Sequence, residues 1–208
     1  ITANPNSSAT AYTGASSGSL SADLVKLQTN LAYADNRTVV NAGIRGGTVH
    51  YDRKKTGEGT DDDVLSFTAG GTHTASASVR SADASLSGIN VAANVVRARM
   101  KGEQNVYISN ANVITTGAVS LRSEMDQSAT ATLNAPGKNV SLAGIQVNCA
   151  IATADAAVRA YILNSRVEAG SLSLYAGGDV TATPTMTQSD TSLELINVGV
   201  TQLYSFAK

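Results

Sequence analysis

A seven-residue pattern recurs along this chain at a nearly constant spacing. Ser-Leu-x-Gly-Ile-x-Val occupies 85–91 and 141–147, and a third copy at 192–198 carries Leu195 at the glycine position. The copies start 56 and then 51 residues apart. Such self-similarity is typical of repeat proteins, in which each unit buries its apolar side only against its neighbours. We therefore expect stacked repeats of about 53 residues.

Apolar residues within each repeat recur in alternating short and long steps. A step of about 20 residues suits one turn of a three-sided β-solenoid, with three short strands and three corners. The longer step holds roughly a dozen further residues, enough for a side hairpin. The pattern predicts an all-β, right-handed parallel β-solenoid (β-helix) with two turns per repeat and side hairpins. The residues that set the steps of 19, 35, 21, 32 and 19 are Phe67, Leu86, Leu121, Leu142, Leu174 and Leu193.

Some segments alternate strictly between apolar and polar residues. Residues 117–123 align with 170–176, and 65–71 align with 172–178. This alternation is typical of a strand with one buried face. The alignment therefore predicts that these segments lie in register in successive repeats.

The recurring motif itself breaks the alternation. Leu86 and Ile89 are out of phase, so Gly88 is expected at a corner or bulge between them. Stacking the copies would place Leu142 over Leu86 and Ile145 over Ile89 in a dry interior. We therefore expect Ile145→Asp to be among the most destabilising substitutions.

Two segments also fit a helix. The leucines of 20–31 fall on one helical face, and 150–161 is rich in alanine. We favour strands in both because the surrounding sequence has a period of two.

The repeats define the expected organisation. We expect one β-solenoid segment over 1–208, with an irregular first repeat at 1–63. Further repeats follow at 64–118, 119–171 and 172–208, the last incomplete. The absence of an initiator Met and the end within a repeat indicate a piece of a larger parent chain.

A mixed-charge stretch at 52–63 separates two alternating apolar runs. It predicts a projecting hairpin and a possible partner-contact loop, because loops carry variable contacts on a rigid frame. Its carboxylates could bind calcium, but the adjacent basic residues favour charge pairing, so no metal site is expected. The possible contact residues are Arg53, Lys54, Lys55, Glu58, Asp61, Asp62 and Asp63.

Composition narrows the function classes. The net charge of −1 gives no electrostatic basis for binding nucleic acid. No stretch approaches the roughly 20 apolar residues of a membrane helix, so membrane insertion is not expected. Aromatic content of 4% suits thin, regularly stacked layers. Cys149 is the single cysteine and is predicted to be a small buried hydrophobe rather than a reactive thiol.

No catalytic or cofactor-binding residue is predicted. His50 and His73, the two histidines, lack partners at metal or triad spacing, and both are expected at exposed strand positions. A glycan-active β-solenoid hydrolase or lyase is the alternative, since such enzymes need paired carboxylates. Those available are Glu124 with Asp126, Asp155, and Glu168 with Asp179.

The chain resembles the repeat regions of giant bacterial surface and secreted exoproteins of the filamentous-haemagglutinin, autotransporter-adhesin and leukotoxin-like families. The resemblance is carried by the motif copies at 85–91 and 141–147 and by a Val-x-Ala-Gly-x-Leu-x-Leu-x-Ala-Gly-Gly-Asp-Val turn at 167–180. It implies a structural or adhesive segment, a stalk or ligand-binding repeat, that is extracellular and not catalytic. The implied partner is a host or neighbouring-cell glycan or protein.

Overall fold

The computed structural model describes residues 1–14, 21–51, 64–80, 83–190 and 193–208. Within these ranges all helical or extended secondary structure is β-strand, and there is no helix. The all-β prediction is confirmed. Of the two ambiguous segments, 20–31 and 150–161, all described residues are strand, and Leu20 lies outside the described residues. The strands are β1 (Thr2–Ala3), β2 (Ser7–Gly14), β3 (Ser21–Arg45), β4 (Thr48–Tyr51), β5 (Val64–Arg80), β6 (Asp83–Ser109), β7 (Asn112–Thr115), β8 (Ala118–Leu163), β9 (Arg166–Glu168), β10 (Ser171–Gly177), β11 (Val180–Asp190) and β12 (Leu193–Ala207).

The chain forms a parallel β-solenoid whose successive turns lie beside one another. Val64 lies beside Ala118, and Ala118 beside Ser171, so neighbouring strands are 54 and then 53 residues apart. The first turn is longer, since Ser21 lies beside Ser85 at an offset of 64. One sheet of nine strands holds β1–β3, β5, β6, β8 and β10–β12, and a second sheet holds β4, β7 and β9.

This register corrects the predicted division of each repeat into two turns. In the described ranges, no strand pairs with one about 20 or 33 residues away, and no pairing is antiparallel. Each repeat is one wide turn, because the presumed side-hairpin residues belong to long strands that pair with the next turn. The extra length of the first turn includes 52–63, since Tyr51 and Val64 flank twelve residues where their partners Thr115 and Ala118 flank two.

The first turn holds β1–β4, the second β5–β7, the third β8 and β9, and the fourth β10–β12. Each turn is a flattened loop with two long sides facing each other. Side one consists of β5 and 118–134 of β8, and side two of 32–45 of β3, 96–109 of β6 and 150–163 of β8. The tip (86–95 and 140–149) joins them. One core cluster packs side one against side two near the tip through Ala75, Ala77, Val79, Val96, Ala98, Met100, Ala129, Ala131, Leu133, Ala150, Ala152 and Ala154. Most of these side chains are alanine, which keeps the interior narrow and leaves few places for aromatic rings.

A second core cluster lies where the short third side closes the turn. Phe67 and Leu121 of side one pack with Val106 and Ile108 of side two and with Val113 of β7. Phe67 and Leu121 are fully buried, so each contributes roughly 1.5–3 kcal/mol of hydrophobic stabilisation.

The corner after side two repeats one backbone conformation in three turns. Gly46, Asn110 and Asn164 all have positive φ (75°, 51° and 48°), and they occupy equivalent positions after β3, β6 and β8. Asn adopts this left-handed conformation more readily than other residues with a side chain. The corners bond to one another, because Gly46 N donates to Ser109 O at 2.8 Å and Asn110 N donates to Leu163 O at 2.9 Å.

At the tip, the apolar side chains of the motif face outward, whereas the sequence predicted that they face the interior. The motif copies lie in one sheet, but Leu86 pairs with Val140 and Ile89 with Ala143, a shift of two residues from the predicted stack. Their side chains face outward, and Ile145 is 46% exposed. The prediction that Ile145→Asp charges a dry interior is therefore wrong.

The interior of the tip is polar instead. An asparagine ladder crosses three turns: Asn30 Nδ2 donates to Asn94 Oδ1 at 2.8 Å, and Asn94 Nδ2 donates to Asn148 Oδ1 at 2.9 Å. Asn148 Nδ2 continues the ladder to Gln188 Oε1 at 3.4 Å. Buried amides are stabilising only when bonded, and stacking identical residues at one position bonds each to the next.

Candidate functional site

Side two presents an outward surface rich in charged and tyrosine side chains, which we call the charged face. Alternate residues of each strand point outward, and the parallel register aligns them into rows. Its basic side chains outnumber its acidic ones by five to three, although the whole chain has a net charge of −1. The face consists of Tyr33, Asp35, Arg37, Val39 and Asn41 from β3, Arg97, Arg99, Lys101, Glu103, Asn105 and Tyr107 from β6, and Asp155, Arg159 and Tyr161 from β8.

Asp35 is the centre of the hydrogen bonds in the part of the charged face that β3 contributes. Arg37 donates to Asp35 Oδ2 from Nε at 3.2 Å and from Nη2 at 3.0 Å, and the Tyr33 hydroxyl donates to the same oxygen at 3.2 Å. Slight burial opposes the charge, but the bonds from Arg37 and Tyr33 prevail and lower the pKa of Asp35. The Arg97 guanidinium lies over the Tyr33 ring at 5.6 Å from its centroid, a cation–π contact.

Glu103 organises the other half of the face. Arg159 Nη1 donates to its carboxylate at 2.6 Å across adjacent turns, and Asn105 Nδ2 donates to it at 3.2 Å. The Asn105 bond and then the Arg159 bond lower the pKa of Glu103. Beyond them the rings of Tyr107 and Tyr161 stack with centroids 5.7 Å apart.

A depression of about 240 Å³ lies between these two clusters. Arg37, Lys101 and Asp155 occupy one row of three successive turns, so cationic and anionic groups stand side by side at its wall. Charged hydrogen-bond donors, carboxylates and nearby tyrosine rings suit a polar ligand with apolar patches, such as a sugar chain. The lining residues are Arg37, Thr38, Val39, Lys101, Gly102, Glu103, Asp155 and Ala157.

Side one carries a second depression of about 370 Å³, which brings together Glu124 and Asp126. Both carboxylates are already bonded. Arg122 donates to Glu124 Oε2 at 2.6 and 3.0 Å, and Asp126 Oδ1 accepts from Asp179 N at 3.1 Å. This is one of the two carboxylate pairs identified from the sequence.

The other sequence-derived carboxylates are dispersed. Asp155 lines the depression of the charged face. Glu168 lies on β9 in the three-stranded sheet and pairs with Arg166. Asp179, its proposed partner, instead lies beside Asp126.

The two histidines occupy contrasting positions. His50 is exposed, as predicted. His73 is fully buried, so its prediction as an exposed residue is wrong. It lies where the first turn meets the second, with Nδ1 2.9 Å from Ser7 Oγ. Desolvation lowers the pKa of His73.

Cys149 is partly accessible rather than buried, which corrects its predicted place in the core. Cys149 is accessible for the same reason that the apolar residues of the tip face outward: the predicted inward and outward sides are exchanged there. Cys149 aligns with Val95 on the outward row, whereas Asn148 and Ala150 on either side point inward.

The possible partner-contact residues Arg53, Lys54, Lys55, Glu58, Asp61, Asp62 and Asp63 lie outside the described residues. Within the described ranges, no group of three or more His, Cys, Asp or Glu side chains is arranged to hold a metal ion. The part of the chain that the structure describes also contains no helix long and apolar enough to cross a membrane.

Sequence reasoning missed the charged face, although its signal is present. From Val96 to Ile108, buried residues alternate with Arg97, Arg99, Lys101 and Glu103 on the outward side. That alternation predicts one polar strand face. Only the parallel register shows that Asp35, Asp155 and Arg159 lie on the same surface. No family model, curated protein or solved structure matches this chain.

Proposed function

We propose that this chain is a structural and adhesive segment of a bacterial surface exoprotein, a stalk that also binds a ligand and performs no catalysis. The observation that carries the proposal is the charged face, which extends over three adjacent turns of a regular parallel stack. Each turn is bonded to the next along nearly its whole length, so the face is rigid and its groups keep a fixed spacing.

The ligand best suited to this face is a cell-surface glycan that bears carboxylate groups. Lys101 and Arg99 lie in the centre of the face and can pair with sugar carboxylates. The stacked pair of Tyr107 and Tyr161 offers an aromatic surface to a sugar ring. The acidic partners Asp35 and Glu103 hold Arg37 and Arg159 in place.

Glycan-array binding of the intact chain tests this proposal. We expect Arg99→Glu with Lys101→Glu to weaken binding by roughly tenfold or more, since charge-assisted hydrogen bonds contribute about 1.5–3 kcal/mol each. Arg80→Glu, a single charge reversal, is the control, because Arg80 is exposed at the end of side one, away from the charged face. Absence of binding to any carboxylated glycan, or equal losses in the two variants, would contradict the charged face as the site.

The 52–63 stretch is tested separately, since it is the binding element that the sequence favours. Replacing it with the dipeptide Thr-Gly reproduces the two-residue connection found between β7 and β8. Loss of binding in this variant, with binding retained after substitution of Arg99 and Lys101, would move the adhesive site to the loop.

The alternative function is a glycan-active hydrolase or lyase. The shared depression of Glu124 and Asp126 favours it, because cleavage of a glycosidic bond requires two carboxylates flanking one site. Release of reducing ends from polysaccharide, abolished by Glu124→Gln and retained in Glu168→Gln, would establish this activity in place of simple adhesion.

A further inference from the structure

The outward surface of the tip is an uncharged sheet surface, which we call the apolar face. It consists of alternate residues from 25 to 31, 89 to 95, 143 to 149 and 196 to 202, which the parallel register aligns into columns. None of these residues is charged, and only Thr29 and Gln202 are polar. The amides of Asn94 and Asn148 are buried on the opposite side of the same strands. The usual arrangement, with polar residues outside and apolar residues inside, is therefore reversed here.

Exposure of the apolar face does not arise at the ends of the stack. The second-turn strand β6 pairs with β3 on one side and β8 on the other, and β8 pairs in turn with β6 and β12. The outward residues Ile89, Ile145 and Val147 of these two middle turns are nonetheless 45%, 46% and 38% exposed. A further turn at either end would add strands beside the face and would leave its outward side uncovered.

The size of the apolar face matches that of a protein interface. At about 3.3 Å per residue and about 4.8 Å per turn, it measures about 25 Å by about 19 Å, or roughly 500 Å². Leu86, Val140 and Leu142 enlarge it, since they are exposed at its margin (55%, 45% and 63%). Apolar patches of this size on soluble proteins mark interaction sites. Two such faces packed together bury roughly 1,000 Å² or more, the area that a specific interface needs.

A second copy of the same face is the partner that fits it in chemistry and shape. Two sheet faces pack about 10 Å apart through interdigitated apolar side chains, as in a β-sandwich. Because the face carries no charge, pairing it with itself buries no unpaired ion. A lipid surface suits it less well, since the face lacks the Lys and Arg side chains that attract anionic lipid headgroups.

We propose that two copies of this chain associate through their apolar faces, packed sheet against sheet about a two-fold axis. Both copies use the same patch, so the contact closes as a dimer and does not propagate. The charged face lies on side two, outside this contact, and each dimer would present two such faces. The inference rests on the tip and does not depend on glycan binding.

Analytical ultracentrifugation over a range of protein concentrations tests the proposal with a tip variant, Leu142→Lys combined with Ile145→Lys. Both side chains are exposed in the single chain, so the variant should fold, and circular dichroism checks this. We expect the wild type to form a reversible dimer. The tip variant should dimerise roughly 100-fold or more weakly, because the contact would bury charges without partners. The matched control is Thr130→Lys with Thr132→Lys, which adds the same charge to the outward surface of side one in the same turn.

Cys149 provides a second readout within the apolar face. It is the single cysteine of the chain and is partly accessible. In the wild type and the control, its reaction with a thiol reagent should slow as the protein concentration rises, because the dimer covers it. In the tip variant, the rate should be the same over the concentrations at which the wild type dimerises.

Three results would overturn the proposal. One is a wild-type chain that stays monomeric at all soluble concentrations. If that chain floats with phosphatidylcholine vesicles and the tip variant does not, the apolar face binds lipid instead. Another is equal association of the wild type and the tip variant, with Cys149 equally reactive in both, which would place the interface elsewhere. The third is association that continues beyond the dimer, which pairing of one face with itself does not produce.

Discussion

Side one and the tip belong to the same turns, but the sequence predicts register and the burial of apolar residues correctly in side one and wrongly at the tip. On side one, the predicted alignment of 117–123 with 170–176 matches the observed register residue by residue. At the tip, the predicted register is displaced by two residues and the predicted interior is outside. The tip nevertheless contains the most conspicuous repeat in the sequence.

The difference shows that recurrence and burial are separate signals. On side one, apolar residues alternate with polar ones, so only one register buries the apolar set. The tip lacks this constraint because Leu86 and Ile89 are out of phase. There the small and amide residues Ser87, Asn90 and Asn94 take the interior. Asn94 is bonded to the turns on both sides, whereas Ser87 Oγ and Asn90 Oδ1 are buried without a hydrogen-bond partner among the described residues.

The largest expected difference comes from truncating one apolar residue in each region. Leu121→Ala on side one should lower the free energy of unfolding by about 2–5 kcal/mol, because it leaves a cavity at a fully buried position. Ile145→Ala at the tip should cost less than about 1 kcal/mol, since its side chain is largely exposed. Urea denaturation followed by circular dichroism measures both. Similar losses would remove the distinction between the two regions.

The polar interior of the tip predicts an intermediate effect. Asn94→Ala should lower the free energy of unfolding by about 1–3 kcal/mol, because it leaves the buried Asn148 Oδ1 without its donor and Asn30 Nδ2 without its acceptor. Asn41→Ala is the control. Asn41 is exposed, and its neighbour Asn105 keeps a bond to Glu103, so the change should be within about 0.5 kcal/mol. An Asn94 variant as stable as this control would show that the ladder is not stabilising.

The smallest effect on the free energy of unfolding is expected from lowering the pH, through His73, which is buried in side one. His73 has a lowered pKa in the folded chain, so the unfolded chain takes up a proton first as pH falls below about 6.5. Stability should therefore be full above that pH and decline toward the folded-state pKa. Urea midpoints at intervals between about pH 7.5 and 5 measure this decline, and carboxylates contribute only nearer pH 4.

His73→Gln provides the comparison for the pH series. This variant should show a shallower decline, because its amide can bond to Ser7 without titrating. An equal decline in both proteins would assign the pH dependence to other groups and leave His73 without a role in it.

The sequence by itself determined the all-β class, the parallel stacking and the register of the alternating segments. These follow from local information: a period of two specifies a strand with one buried face, and recurrence specifies a partner in the next repeat. The sequence also located one site of extra length in the first turn at 52–63, because no counterpart to that stretch exists in later repeats.

Only the tertiary structure decided the size of the turn, the inside of the tip and the charged face. The length of a turn depends on which distant segments pair. That pairing is set by the packing of Ala75–Val79 against Val96–Met100 across the interior, and no repeat in the sequence indicates this contact. The tip interior depends on hydrogen bonds between turns, which can make an asparagine a better buried residue than a leucine. The charged face exists because registers of 64 and 54 residues bring Asp35, Arg99 and Arg159 to one surface, and their separation in the chain hides that proximity.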